Sequence, residues 1–340
     1  MTREYPPEVL ADLEAMVIQA LPRWGVAPDA NVSLLNVSEN ATFAVSDPAR
    51  RRELIVRVHR IAYSSLQEIR SELQWILALR AEAVVETASP LAGSDGELVQ
   101  LLPSTAGRAA RHAVAFERLP GREPDPTRDA AEWFEKLGQL TARMHAHARR
   151  WSLPEGFRRK RWDVDDMVGP GAHWGPWRAA MGLTREGADC IEQALPQIRA
   201  RLERFGRGPQ QFGLVHADLR LANLLVDGTQ LRIIDFDDCG FSWFLYDFAA
   251  AISFIEHEPF IPELLEAWLA GYRTLAEVPR EAAAAIPTLV VLRRILLTAW
   301  LASRSELAFA QGLGAAYTAG TVRLAQDLVD GRFHGRRYDV

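Results

Sequence analysis

The stretch from Phe212 to Ala249 limits what this chain can fold into more than any other. It reads Phe212-Gly-Leu-Val-His-Ala-Asp218-Leu-Arg220-Leu-Ala-Asn223-Leu-Leu-Val226, resumes as Leu231-Arg-Ile-Ile-Asp235-Phe-Asp237-Asp238, and closes on Tyr246-Asp247-Phe-Ala249. Asp218 and Asn223 stand five residues apart between two apolar runs, and Asp235 ends a second, β-branched run. Val226-Asp-Gly-Thr-Gln-Leu231 joins the runs with the composition of a hairpin turn. Closing that hairpin brings a carboxylate, an amide and a second carboxylate to one end of a small sheet. Hard oxygen ligands beside a carboxylate able to accept a proton are the outline of a Mg²⁺ and phosphate site.

The spacing His216-Ala-Asp218, four residues, Asn223, then Asp235-Phe-Asp237 resembles the catalytic loop and metal-binding triplet of kinases. The chain is similar to the kinase-like phosphotransferases, which include aminoglycoside phosphotransferases, choline kinases, type II homoserine kinases and the bacterial stress-response kinases. Asp-Phe-Asp-Asp at 235–238 and Tyr-Asp-Phe-Ala at 246–249 look most like the last two groups. The resemblance implies an α+β, two-lobed protein-kinase-like fold: a small antiparallel-sheet lobe over 1–120 that binds nucleotide, and a mostly helical catalytic lobe over 121–340. It implies ATP and Mg²⁺ as cofactors. It gives Asp218 the task of taking or orienting the acceptor hydroxyl proton, and Asn223 and Asp235 that of holding the metal. Arg220 stands where kinases carry a catalytic-loop lysine, placed to neutralise charge on the moving phosphoryl group. Asp237 replaces the usual glycine of the triplet and adds a metal or substrate contact. His216 and Asp247 read as loop-fixing rather than chemical groups.

Upstream, Val32-Ser-Leu-Leu and Ala41-Thr-Phe-Ala-Val45 read as strands around a polar turn, Asn36–Asn40. By the resemblance this turn folds over the nucleotide phosphates. It has no glycine-rich motif, so Ser38, Asn40 and nearby backbone N–H groups are its candidate contacts. Leu54-Ile-Val-Arg57-Val-His59 embeds a cation among β-branched residues, which is costly unless the cation is paired. Glu72, fifteen residues on in a helix with Leu66, Ile69, Leu73, Ile76 and Leu77 apolar, can supply the partner. This repeats the strand lysine and helix glutamate of kinases with arginine in the lysine's place, which alters the nucleotide pose. Arg111–Leu119 is the last strand of the lobe, and backbone atoms from Glu117 to Leu119 are the expected adenine contacts. Pro120–Pro126 follows as a Pro/Gly-rich boundary.

The larger half reads as mostly helical: about Asp129–Arg149 (Trp133, Leu137, Leu140 and Met144 on one face), Cys190–Phe205, Phe248–Ile255, Glu263–Leu275, Glu281–Leu307 and Gly320–Leu328. His145 and His147, two apart, point to different helical faces and read as core or capping residues rather than metal ligands. Between Trp151 and Gly187 lie four tryptophans and several acids. They suggest either an aromatic acceptor wall suited to a cationic or sugar-like compound, or an irregular loop packed on the core.

A net charge of −5 over 340 residues, with no basic face, argues against nucleic acid as partner. The basic clusters Arg149-Arg150 and Arg158–Arg161 read as solvated loop charge. Two cysteines without metal-ligand spacing point to a reducing compartment, and the N-terminus, Met1–Pro7, lacks a signal-peptide apolar core. The greasiest stretch, Ile286–Ala302, holds Arg293-Arg294 and reads as too short to span a membrane. The expectation is a cytoplasmic ATP-dependent kinase of small-molecule hydroxyls with no membrane partner. A protein Ser/Thr kinase of the stress-response type and a non-catalytic pseudokinase are the alternatives.

Overall fold

A computed structural model describes residues 5–125, 128 and 130–332. The start of the N-terminus (Met1–Glu4), the end of the linker (Pro126) and Asp129, where the first long helix was expected to begin, lie outside the described residues. The Cα framework divides into two compact units, Met1–Pro120 with Leu153–Arg158, and Gly121–Ser152 with Arg159–Val340.

The first unit begins with α1 (Pro7–Ala20), which has proline at its first position, where no amide hydrogen is needed. Six antiparallel strands follow: β1 (Asn31–Val37), β2 (Ala41–Asp47), β3 (Arg52–Val58), β4 (Pro90–Leu91), β5 (Val99–Leu102) and β6 (Arg111–Glu117). Their order is β1-β2-β3-β6-β4, with β5 also on β6. β1 runs past the expected turn to Val37, leaving a tighter loop at Ser38–Asn40. Leu13, Met16 and Val17 of α1 pack with Val45, Val56 and Ala115 as the core of this unit. Between β3 and β4, α2 (Leu66–Ala81) starts at a capping box: Ser65 Oγ accepts the Glu68 N–H while Glu68 accepts the Ser65 N–H. Its buried side is Ile69, Glu72, Leu73, Trp75, Ile76 and Leu79; Leu77, expected inside, is 40% exposed. At about 3.6 residues per turn, Leu77 falls outside the arc of the helix that these residues span, and Trp75 lies at its other edge.

The second unit contains α3 (Ala130–Arg150), β7 (Lys160–Arg161), α4 (Val164–Val168), α5 (Arg185–Phe205), β8 (Phe212–Val215), the hairpin β9 (Leu224–Asp227) and β10 (Gln230–Ile233), and β11 (Gly240–Trp243). Then come α6 (Tyr246–Ala251), α7 (Ile261–Arg273), α8 (Arg280–Ala283), α9 (Ile286–Ser303) and α10 (Ala308–Val329). β11 lies between β7 and β8. β9 and β10 pair from Asp227↔Gln230 to Leu224↔Ile233, and Gly228 supplies the positive φ (59°) that the two-residue turn needs. On α3, Phe134, Leu137, Thr141 and Met144 are buried, whereas Trp133 and Leu140 are only half-buried.

The expected 281–307 helix is two helices, because Pro287 restarts the chain at the first turn of α9. α9 is buried all round from Ile286 to Ala302, as suits an apolar core helix. By length and composition, Arg280–Ser303 is enough to cross a membrane, but 89% of its apolar window is buried within the fold. α10 begins twelve residues earlier than expected and kinks at Gly314 (φ 38°, ψ −131°). Trp162, Trp174 and Trp177 are buried and Trp151 half-buried, so the tryptophans mainly pack the loop onto the core. Trp162 Nε1 donates to Asp238 O at 2.7 Å, and the Trp162 carbonyl accepts Ser242 Oγ at 2.8 Å. Arg159 and Lys160 are buried too, not solvated; Arg159 Nε donates to Cys239 O at 2.6 Å.

α3 and α7 cross backbone to backbone. A Cβ on Gly271 would lie 1.9 Å from Glu135 O, and one on Gly138 2.0 Å from Trp268 O. Neither carbonyl can turn away without opening its helix. Gly271→Ala is therefore expected to cost about 3 kcal/mol or more. Gly312→Ala on α10, where an added Cβ meets nothing within 4 Å, is the control and should be neutral or slightly stabilising. Urea unfolding of both variants tests this crossing; equal midpoints would contradict it.

Candidate active site

The loop from His216 to Asn223 leaves β8, and the loop from Ile234 to Cys239 leaves β10; the hairpin fixes their spacing. Asn223 O accepts the Ile234 N–H at 2.9 Å, so Asn223 and Asp235 emerge side by side. Ala217 has φ 66° and Asp235 φ 61°, a left-handed conformation that side-chain-bearing residues keep only when their surroundings enforce it.

Asp247 enforces it at Ala217. This fully buried carboxylate accepts the N–H of His216 at 3.2 Å, the N–H of Ala217 at 2.7 Å and His145 Nε2 at 3.0 Å. His145 Nδ1 in turn accepts a hydrogen bond from the Tyr272 hydroxyl at 2.9 Å. Burial lowers the His145 pKa, against the pull of Asp247, and pushes Tyr272 up to about 12. Burial likewise holds His216 neutral. Its Nδ1 accepts the Asp218 N–H at 3.2 Å and its Nε2 donates to Ile234 O at 3.1 Å, linking the two loops. His145 and His147 are thus core residues, and among the described residues no three His, Cys, Asp or Glu side chains form a metal cage.

Both oxygens of Asp218 are engaged. Oδ2 accepts Asn223 Nδ2 at 2.7 Å and Arg220 Nε at 3.2 Å, and Oδ1 accepts Arg293 Nη2 at 2.8 Å. Burial pushes its pKa up, but Arg220 and Arg293 outweigh this, and Asp218 lies below the usual carboxylate range. Arg220 is therefore aimed at Asp218. Asn223 also gives Nδ2 to Asp218 O at 2.8 Å, which leaves its Oδ1 as the atom to offer a cation. Asp235 is exposed, while Asp237 is buried with its carbonyl held by Arg159. An amide oxygen and two carboxylates suit Mg²⁺, which in phosphotransfer sites takes one or two carboxylates and fills its octahedron with phosphate oxygens and water.

In the first unit, Arg57 and Glu72 form a buried ion pair, with Arg57 Nη2 at 2.6 Å and 2.7 Å from the two carboxylate oxygens. The guanidinium also lies over the Phe116 ring, 5.2 Å from its centroid. Asn40 is buried and its Oδ1 accepts the Arg60 N–H at 3.1 Å, a loop-fixing bond; Ser38 closes the same turn by giving its N–H to Asn40 O at 3.1 Å. The Glu117 N–H is spent on Ser89 O at 2.9 Å, its side chain is exposed, and Leu119 is half-buried. Arg57→Ala and Glu72→Ala should each cost about 3–5 kcal/mol by stranding a buried charge, and the double variant less than their sum. Strict additivity in urea unfolding would mean that the two side chains do not meet.

Sequence reasoning missed Arg293. Its signal was the Arg293-Arg294 pair inside an apolar run, which demands partners as Arg57 does. Arg294 finds Glu256 at 2.7 Å.

Comparison with known proteins adds the family. The model of the phosphotransferase enzyme family matches residues 33–284. The chain belongs to that family. It is 39% identical to a microcompartment-associated aminopropanol kinase of solved structure, over 93% of this chain and 98% of that one, with a TM-score of 0.85. It is 24% identical to the amicoumacin kinase of Bacillus subtilis strain 168, over 84% of this chain and 83% of that protein. A solved amicoumacin kinase in complex with AMP-PNP and Ca²⁺ shares the fold, with a TM-score of 0.75 at 23% identity over 96% of this chain and 94% of that one. This phosphotransferase is thus an ATP-dependent kinase that acts on alcohol groups, and its α+β fold is kinase-like. In it, the Asp218 loop carries a carboxylate held by Arg220, Arg293 and the Asn223 side-chain amide.

Proposed function

We propose that the chain transfers the γ-phosphoryl group of ATP to the hydroxyl of a small amino alcohol. The observation that carries the reading is the Asp218 carboxylate, kept charged by Arg220 and Arg293 and oriented by Asn223. Asp218 orients the acceptor hydroxyl and takes its proton late in the transfer, which needs no raised pKa. Asn223 Oδ1, Asp235 and Asp237 hold Mg²⁺; when bound, the metal neutralises charge on the β- and γ-phosphates. A relative solved with a nucleotide and a divalent cation supports a metal of that charge. Arg220, bonded to Asp218 Oδ2 through Nε, neutralises charge on the transferred group with its terminal nitrogens. Arg57, steadied by Glu72, meets the nucleotide phosphates, with Ser38, Asn40 and the 117–119 backbone (Glu117 to Leu119) as further nucleotide contacts. The lobes run 1–120 and 121–340, and the enzyme works in the cytoplasm without nucleic-acid or membrane partners; both cysteines are free and buried.

The amino-alcohol acceptor rests on the 39% identity with an aminopropanol kinase. A small acceptor, rather than a protein serine or threonine, also follows from the chain after Asp235. Protein kinases place a long activation segment and an Ala-Pro-Glu motif there to hold a peptide. Here Asp247 follows within twelve residues, after one turn and β11, and no Ala-Pro-Glu occurs downstream. Labelled ATP offered to a panel of amino alcohols, sugars and antibiotics, and separately to a protein mixture, tests this. Turnover of amino alcohols is expected; labelling of proteins with no small-molecule turnover would overturn it.

A further inference from the structure

The surroundings of Asp218 include a group outside the local catalytic loop. Arg293 lies in the middle of α9, 2% exposed, beside Arg294 in a helix that is mostly apolar and buried all round. Burying a guanidinium costs several kcal/mol unless every face of it is met. Each nitrogen has a partner: Nε gives to Ser253 Oγ at 3.1 Å, Nη1 to Tyr246 OH at 3.0 Å and Ala217 O at 3.2 Å, and Nη2 to Asp218 Oδ1 at 2.8 Å. The plane also rests near the Trp174 ring, 5.4 Å from its centroid. Tyr246, pushed up to about 12 chiefly by burial, keeps its proton, and Asp238 adds a nearby negative charge. So placed, the guanidinium is locked at a fixed angle to the Asp218 carboxylate.

A carboxylate has about four lone-pair sites. Asn223 Nδ2 and Arg220 Nε take both sites of Oδ2, and Arg293 takes one of Oδ1. We propose that Arg293 is a positioning residue for phosphoryl transfer: it clamps Asp218 through Oδ1 and Ala217 O so that the remaining lone pair of Oδ1 is the proton acceptor. This rests on the reading of Asp218 as the base. In the step, the acceptor O–H bond breaks and its proton passes to Oδ1. The acceptor oxygen bonds the γ-phosphorus, and the bond from that phosphorus to the β–γ bridging oxygen breaks, leaving its electron pair on ADP. Arg293 touches neither substrate.

The test uses the full chain with ATP and 1-amino-2-propanol as acceptor probe, and the variants Arg293→Gln, Arg293→Lys, Asp218→Asn and the double Asp218→Asn/Arg293→Gln. Steady-state kcat and KM, AMP-PNP affinity by calorimetry and melting temperature are measured for each. Arg293→Gln should lower kcat about 100-fold with AMP-PNP affinity little changed. The loss should fall on kcat, with KM for ATP and for the acceptor changed by less than about threefold. Arg293→Lys should recover about a tenth of the wild-type rate, since it keeps the charge without the fork. The double variant should be no slower than Asp218→Asn. A loss that falls on KM rather than kcat, or a double variant slower by the full Arg293→Gln factor, overturns the proposal while the Asp218 reading stands. If Arg293→Gln does not fold, Arg293→Lys is combined with Asp218→Asn: a kcat loss that vanishes in the Asp218→Asn background supports the clamp, and the same loss in both backgrounds overturns it. Wild-type turnover by Asp218→Asn would remove the reading beneath it whatever Arg293 does.

Discussion

Asp218→Asn is expected to lower phosphoryl transfer about 10³-fold or more while ATP still binds. The amide keeps the carboxylate's shape and loses its proton-accepting power. It also removes the charge that Arg293 and Arg220 answer, at 2.8 Å and 3.2 Å, and places an NH₂ group among donors. A stability loss of about 2–3 kcal/mol therefore comes with the lost rate, and melting temperatures measured with and without ATP separate the two effects. Survival of an ATP-induced rise in melting temperature in an inactive variant is the signature of a base. Loss of ATP affinity comparable to the loss of rate would instead give Asp218 a nucleotide-binding task.

The second large effect is expected at Asp247, which touches no substrate. Its two oxygens hold His145 Nε2 and the N–H groups of His216 and Ala217, and all three partners are buried. Asp247→Asn offers one acceptor oxygen and turns an NH₂ toward donors. Unfolding should cost about 3 kcal/mol less, the penalty for stranding buried donors. Ala217, no longer held at φ 66°, is expected to relax toward ordinary backbone and carry Asp218 out of line, so kcat should also fall about 100-fold. Urea unfolding and steady-state kinetics read the two losses. Adding Ala217→Gly, which removes the strain of the left-handed turn, should recover part of the stability. A fully active, stable Asp247→Asn would mean that the loop is fixed by other bonds.

Much of this was legible in the sequence where the determinants are local. Asp218, Asn223 and Asp235 converge because a two-residue turn sets the register of β9 on β10, and turn and spacing can both be read along the chain. Arg57 and Glu72 were readable for another reason: a cation in a β-branched strand needs an anion, and one stood fifteen residues away. The same rule applied to Arg293, but its partner is 75 residues distant and only the packing of α9 against the Asp218 loop selects it. The tryptophans of 151–187 left two readings open because an indole serves a ligand wall and a core equally well; three of the four are buried, and they pack the loop onto the core. Leu77 was misplaced because an apolar residue just past the edge of a helix's inward arc reads as part of it. The start of α10 was hidden by Gly312 and Gly314, residues that weaken a helical pattern without preventing a helix held by its neighbours.

The most direct test of the central claim is ³¹P NMR of the enzyme incubated with ATP, Mg²⁺ and 1-amino-2-propanol. A phosphomonoester resonance that grows in step with ADP, depends on the amino alcohol and is missing with Asp218→Asn is the expected result. ATP consumed to ADP and inorganic phosphate at the same rate with or without the alcohol, or a phosphomonoester formed equally well by Asp218→Asn, would contradict it.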